Sequence, residues 1–289
     1  VGKMGLVHSS IVNAMPSGCL VGISDVNPKM RHLVKSSGIN APFYTDVNTL
    51  LDDTRPDAAI VCVPPVFTRR IVAECASRDI HVLVEKPLAD SLPNAQAIAE
   101  LVRNASINAS VGYMVAFLPT FVKARQLLNA RIIGDVTHVH SSAFLSQVFS
   151  RKKGWRYEKA QSGGGVLPII ASHALFLLNW FFGLPRHVEA SLESRYSDVD
   201  DEANVHMVFE SGLEAQLETS WMRPGYINMV QIMEIRGDNG TLTVTPDSIE
   251  LNLHQPSCEY PQGETFIHRS DLPQAQWEIG AEGYYAQDA

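Results

Sequence analysis

From Cys19 to Asn104 the chain alternates short, wholly apolar runs with longer segments in which apolar and polar positions mix. Cys19 to Ser24, Ala58 to Val63 and His81 to Glu85 read as strands, with helices over Pro28 to Ser37, Val66 to Arg78 and Leu92 to Asn104. Uninterrupted Val/Ile/Leu runs suit parallel strands covered on both faces, so this part predicts a doubly wound α/β sheet. After Ser110-Val111-Gly112-Tyr113-Met114 the rhythm changes. A helix from Pro119 to Ala130 leads into segments that alternate with period two: Val136 to Phe144, Val188 to Tyr196, Ala203 to Phe209, Glu214 to Thr219, Val230 to Arg236 and Thr241 to Val244. Glu210-Ser211-Gly212 separates two of them, and Gly237-Asp238-Asn239-Gly240 joins two as a hairpin. Such alternation predicts an antiparallel sheet with one exposed face in an α+β domain. The expected domains are 1–117 and 118–289, and no internal repeat is visible.

A length of 289 residues exceeds one ordinary core and suits this division. With 45% hydrophobic and 19% charged residues the chain is globular in composition. Its net charge of −8 repels phosphate backbones, and no basic run exceeds Arg151-Lys152-Lys153, so nucleic acid is not the expected partner. Cys19, Cys62, Cys75 and Cys258 show no CxxC spacing, and three sit in apolar contexts. Buried free thiols, no metal site and a reducing, cytoplasmic location follow as expectations. Ser162 to Pro185 lacks any charged residue, yet three glycines, Pro168, His173 and Asn179 interrupt it. It reads as a core helix rather than a membrane span. The ends read as those of a fragment: Val1 to Gly5 begins in mid-motif with no first strand ahead of it, and Tyr284 to Ala289 resembles the entry to a helix.

Three constellations carry chemistry. Gly2-Lys3-Met4-Gly5 supplies two glycines of a dinucleotide fingerprint, in which the backbone approaches a pyrophosphate at a helix N-terminus. Asp25 follows Gly5 by 20 residues at the end of the next strand, where a carboxylate binds a ribose 2′-hydroxyl and repels a 2′-phosphate. NAD is therefore expected over NADP, although the same residues also read as a glycine turn and a cap on Asn27-Pro28. Glu85-Lys86-Pro87 follows the third strand, so Lys86 faces the crevice outside the carboxyl ends of the sheet. Beside a cationic nicotinamide its pKa falls and it can hold a reacting oxygen; a solvated surface pair is the plainer reading. Gly163-Gly164-Gly165 forms a close-approach loop ahead of Pro168, read as the first residue of a helix that carries His173. On that helix His173 shares a stripe with Ile169, Phe176 and Trp180, and either works as an acid/base or is a satisfied core histidine.

In order and spacing these pieces resemble the glucose-fructose oxidoreductase and inositol dehydrogenase (Gfo/Idh/MocA) family. The resemblance extends through Val61-Cys62-Val63-Pro64-Pro65, Gly112-Tyr113, Gly154-Trp155-Arg156-Tyr157 and Asn179 to Gly183. It implies an N-terminal Rossmann domain, a C-terminal α+β domain with an open, mostly antiparallel sheet often used for homo-oligomers, and a nicotinamide cofactor. By resemblance Lys86 contacts the substrate hydroxyl across a commonly cis Lys86-Pro87 bond, and His173 is the acid/base. Glu85, Trp155 and Arg156 lie near the cofactor with Gly2, Lys3, Met4, Asp25, Val63 and Pro64. Two departures bear on the substrate. Ile169 and Phe176 stand where the family often has carboxylates, and Met114-Val115-Ala116 replaces polar residues. Each buried hydroxyl needs a partner, so a small-molecule substrate less polar than an open polyol is expected. The expected activity is hydride exchange between NAD and a secondary alcohol or ketone of a small carbohydrate-like or cyclic compound. The alternative is a dinucleotide-binding regulator that has lost catalysis.

Overall fold

A computed structural model describes residues 1–273 and separates them into two compact units. The first comprises Val1–Gly112 with Ala160–Gly163; the second comprises Tyr113–Lys159 and 164–273. The expected C-terminal helix entry at Tyr284 to Ala289 lies outside the described residues.

The first unit runs α1 (Lys3–Ala14), β1 (Ile23–Ser24), α2 (Met30–Ser36), β2 (Phe43–Tyr44), α3 (Val47–Thr54), β3 (Ala58–Val61), α4 (Pro65–Ala76), β4 (His81–Val84), α5 (Leu92–Asn104) and β5 (Ala109–Val111). Local chemistry explains several of the helix starts. Asp46 caps α3 by accepting from Thr49 N at 2.9 Å, and prolines occupy the first turns of α4 and α5 where an amide would lack an intrahelical partner. All strand pairs are parallel, but they form two sheets, β1·β2 and β3·β4·β5. The expected burial of every strand on both faces is corrected accordingly: β3 is an edge, and Ala58 and Ile60 are exposed. The strand expected from Cys19 shortens to Ile23–Ser24, and Cys19 ahead of it is exposed, as is Cys258; Cys75 is buried and Cys62 partly so.

The second unit contains α6 (Pro119–Asn129), β6 (Val136–Phe144), α8 (Val166–Ile169), α9 (Ser172–Phe182), β7 (Pro185–Glu193), β8 (Glu202–Phe209), β9 (Glu214–Ser220), β10 (Val230–Gly237), β11 (Gly240–Val244), β12 (Ser248–Leu253) and β13 (Gly263–His268), while α7 (Lys159–Ser162) belongs to the first unit except for Lys159. Strands β6 to β13 build one sheet in the order β13-β12-β11-β10-β6-β9-β8-β7. Every pair is antiparallel except β6·β9, where His138 lies opposite Glu214. In β8, β10 and β12 alternate residues are buried, because α6, α8 and α9 pack on one face alone. The hairpin expected at Gly237–Gly240 joins β10 to β11.

The continuous helix expected from Pro168 is corrected to two. Pro168 is the third residue of α8, whose N-cap is Gly165. Ala171 N bonds to Val166 O, five residues back, and this wide turn ends α8 before α9 begins. The segments Lys159–Ile169 and Ser172–Phe182 meet at 56°; among the described residues no single helix is long and apolar enough to cross a membrane.

Candidate active site

In the first unit α1 starts among the carboxyl ends of three parallel strands. Its N-cap, Gly2, is extended (φ −97°, ψ −162°), brings no side-chain oxygen, and has nothing within 4 Å of where a Cβ would stand. A Cβ on Gly5 would sit 3.3 Å from Val1 Cγ1 and at an ordinary contact distance, 3.8 Å, from Cys62 Cβ just beyond β3. One turn on, His8 Nε2 lies 2.7 Å from Glu85 Oε1 beyond β4. The structure thus gathers Gly2, Lys3, Met4, Asp25, Val63, Pro64, Glu85 and Lys86 along one rim of this unit. His8, which the sequence reading passed over, fixes Glu85. Gly112 lies on the other side, where a Cβ would touch the Glu85 carboxyl at 3.4 Å. Glu85 Oε2 also accepts from Lys86 N at 3.3 Å, and the Lys86–Pro87 peptide bond is cis. Asp25 Oδ1 accepts from Asn27 N at 2.8 Å, an Asx turn that holds the carboxyl at the strand end. Burial, and then the charge of Glu85, push the Cys62 thiol up to about 12, which keeps it protonated at this rim. A glycine-capped helix N-terminus that donates to a pyrophosphate and a strand-end carboxylate that accepts from a ribose hydroxyl are groups that dinucleotide-binding folds use.

In the second unit His173 is the second residue of α9 and only 4% exposed. The Tyr113 ring meets it edge-on at 6.0 Å and stacks on Phe176 at 4.5 Å. Burial raises the Tyr113 phenol pKa, so the ring stays neutral. Ile169 belongs to α8 and is buried in the core of this unit, so the single stripe expected for Ile169 and His173 is corrected by the turn between the helices. Val115 and Ala116 are core residues too and do not line a substrate face, whereas Met114 is partly buried. Trp155 and Arg156 form a 3-10 turn with Tyr157 after Gly154, whose φ is +117°; the Arg156 guanidinium lies over the Trp155 ring at 5.6 Å.

The glycine run closes on the protein's own backbone. Gly163, at φ +80°, abuts the Asp90 carbonyl within the first unit, and a Cβ on Gly165 would fall 2.0 Å from Asp200 O. The Asp200 carboxylate accepts from Gly165 N at 2.6 Å and from Leu167 N at 2.8 Å, capping the start of α8. Next to it, fully buried Asp201 accepts from Arg195 N, Tyr196 N, Ser197 Oγ and Trp221 Nε1 at 2.6 to 2.9 Å. Neither aspartate carries a sequence signal: the amides that Asp200 caps lie 33 and 35 residues upstream, and Trp221, one of the four donors to Asp201, lies 20 residues downstream.

Residues 1–113 match the family model described as the NAD-binding Rossmann fold of the Gfo/Idh/MocA oxidoreductases, and residues 121–243 match that family's C-terminal domain. Scyllo-inositol 2-dehydrogenase (NAD(+)) of Bacillus subtilis is 24% identical over 235 residues, 78% of this chain and 66% of its own length. An uncharacterised oxidoreductase of Synechocystis is 22% identical over 239 residues, 78% of this chain and 64% of its own. The chain therefore spans just under two thirds of the length of these curated relatives. Among solved structures, a levoglucosan dehydrogenase in complex with NADH and levoglucosan shares the fold at a TM-score of 0.85 and 20% identity, over 96% of this chain and 82% of that one.

Proposed function

We propose that this chain, which belongs to the Gfo/Idh/MocA oxidoreductase family, uses NAD to interconvert a secondary alcohol and a ketone on a small cyclic or carbohydrate-like compound. The observation that carries the reading is the rim of the first unit, where α1 packs beside Cys62 and its His8 bonds Glu85 next to Lys86, with Asp25 beyond the end of β1. Gly2, Lys3 and Met4 would hold the pyrophosphate on the N-terminus of α1, and Asp25 the adenosine ribose, with Val63 and Pro64 flanking and Trp155 and Arg156 contributing from the second unit. NAD, when bound, supplies the hydride acceptor or donor at nicotinamide C4. Glu85, held by His8, fixes the backbone at Lys86 through its bond to Lys86 N. The Lys86 ammonium would hold and polarise the substrate oxygen, and His173 would take or return the hydroxyl proton, a step typically worth about 10²–10⁴-fold. The relative named above acts on scyllo-inositol and the structural neighbour holds levoglucosan, both cyclic and hydroxylated. The stacked Tyr113–Phe176 pair beside His173 favours a compound that presents an apolar ring face there. We propose as well that copies of the chain associate through the large sheet of the second unit.

The test compares NAD with NADP across a panel of inositols, anhydrosugars, sugars and hydroxy acids, following NADH absorbance. Turnover with NAD on a cyclic substrate, abolished in Lys86→Ala while calorimetric NAD affinity stays within about threefold, is the expected result. NAD binding without turnover on any compound would turn the reading into a regulator. Full activity in Lys86→Ala would remove Lys86 from the mechanism.

A further inference from the structure

Arg151 to Lys159 is the most cationic stretch of the chain. It holds five of the 23 basic residues and one of the 31 acidic ones, a net +4 in nine positions of a chain that totals −8. All five basic residues are exposed. Elsewhere the structure sets arginines against carboxylates: Arg78 meets Asp52 and Glu74, Arg195 meets Glu193, and Arg223 meets Glu218. Here Arg151 pairs with Asp198 at 3.4 Å, and at 81% and 73% exposure that pair is too solvated to neutralise much. Lys152, Lys153 and Lys159 meet no carboxylate among the described residues.

Both ends of this loop are pinned to one residue. Gln147 N and Val148 N donate to Trp221 O at 2.9 Å, Val148 is fully buried, and the Tyr157 ring meets the Trp221 ring at 5.4 Å. The residues between stand out as an arm with Lys152 and Lys153 midway along it. Trp221 in turn donates through Nε1 to Asp201, the neighbour of the Asp200 carboxylate that caps α8. From Gly165 at that cap to His173 in α9 is eight residues, which at a helical rise of 1.5 Å each span about 12 Å. The cationic arm and the candidate acid/base therefore share one scaffold within the second unit. This placement assigns the charge to the substrate rather than to the cofactor, whose pyrophosphate and ribose have α1 and Asp25 in the first unit. Ammonium and guanidinium groups at a surface steer and hold an anion with a strength that added salt screens. A phosphate or a carboxylate uses them, and a neutral polyol does not.

We infer that the substrate carries an anionic group, a phosphate or a carboxylate, apart from the carbon that exchanges hydride, and that Arg151, Lys152 and Lys153 receive it. The inference deepens the proposed oxidoreductase reading and rests on it. Two measurements on the full 289-residue chain test it. The first needs no turnover: calorimetry with inorganic pyrophosphate on protein saturated with NAD, so that the N-terminus of α1 is filled. Lys152→Glu/Lys153→Glu should weaken pyrophosphate binding at least about tenfold with unchanged circular dichroism, and about 0.5 M sodium chloride should do the same to the native protein. The equal charge change Lys35→Glu/Arg103→Glu, in the exposed last turns of α2 and α5, should shift it less than about twofold. The second compares kcat/KM within matched sets, each a neutral cyclic sugar, its uronate, its phosphate ester and its nucleoside diphosphate conjugate. The expected result is a preference of at least about tenfold for an anionic member, carried by KM and lost in Lys152→Glu/Lys153→Glu. Which member leads separates carboxylate from phosphate. Equal kcat/KM across a set, or pyrophosphate binding that the double variant keeps, would overturn the inference, and turnover of the neutral member would then leave the oxidoreductase reading standing. Pyrophosphate binding lost in the double variant, with no turnover on any compound, would sustain the anion site for a bound ligand and overturn the oxidoreductase reading.

Discussion

Replacing Asp201 by asparagine tests whether the buried carboxylate knot ties the Arg195–Ser197 turn to Trp221. The carboxylate accepts four donors, two on each oxygen. An asparagine offers one acceptor oxygen and one NH₂ group, so in either orientation two donors face N–H. A buried donor left without an acceptor costs about 1–3 kcal/mol, and two therefore cost about 2–6 kcal/mol. For a unit of this size each kcal/mol lowers the melting midpoint by about 2–4 °C, so the midpoint should fall by at least about 4 °C at pH 7. The pH dependence adds a second handle. Burial pushes the Asp201 carboxyl upward, but hydrogen bonds from Tyr196, Trp221, Arg195 and Ser197 outweigh it and leave the folded pKa below 3.8. A depressed carboxyl stabilises the fold above its unfolded pKa and loses that contribution as pH falls through the folded value. The gap between native protein and variant, followed by circular dichroism melts, should therefore be constant from pH 7 to 5 and narrow below about pH 3.8. A midpoint change under about 1 °C, or a gap unaltered at pH 3, would refute the reasoning.

Three further outcomes follow from the same geometry. Gly165→Ala forces a Cβ to within 2.0 Å of the Asp200 carbonyl and should yield unfolded or insoluble protein, whereas Gly2→Ala meets open space and should melt normally; equal melting points for the two would contradict these placements. Native protein treated with a thiol reagent at pH 8 should label Cys19 and Cys258 quickly and the other two only after denaturation, because burial raises Cys62 to about 12 and Cys75 to about 11. Asp25→Ala should reduce the ratio of kcat/KM for NAD over NADP by about tenfold or more, since the carboxylate that repels a 2′-phosphate is gone; an unchanged ratio would remove Asp25 from cofactor choice.

What the chain announces and what it conceals divide along a physical line. The β10–β11 hairpin is legible because the pleat writes burial directly into alternate positions. Ser248–Leu253 carries the same signal in Ile249, Leu251 and Leu253, and was simply passed over. Lys86 and Asp25 are legible as residues that end parallel strands. His8 is not, because its role depends on a carboxylate 77 residues away. The break between α8 and α9 is equally hidden: the segment is apolar all round, and the feature that shapes its start is a pair of amides seated on Asp200, 35 residues downstream of Gly165. Position along the sheet end can be read from a strand; tertiary anchoring of a loop cannot.

The one parallel seam, between β6 and β9, has a consequence for how the second unit comes into being. The hydroxyl of Thr219 reaches the carbonyl of Ala143, 76 residues earlier in the chain, and on the other flank Val230 faces Phe144. At about 5–20 residues per second a ribosome needs roughly 4–15 s to deliver the first of these neighbours, and during that interval β6 has no partner on either side. The meander β7-β8-β9 can zip locally as it emerges, but the strand at the middle must wait for both flanks to arrive, so β6 stays unpaired while three later strands are made.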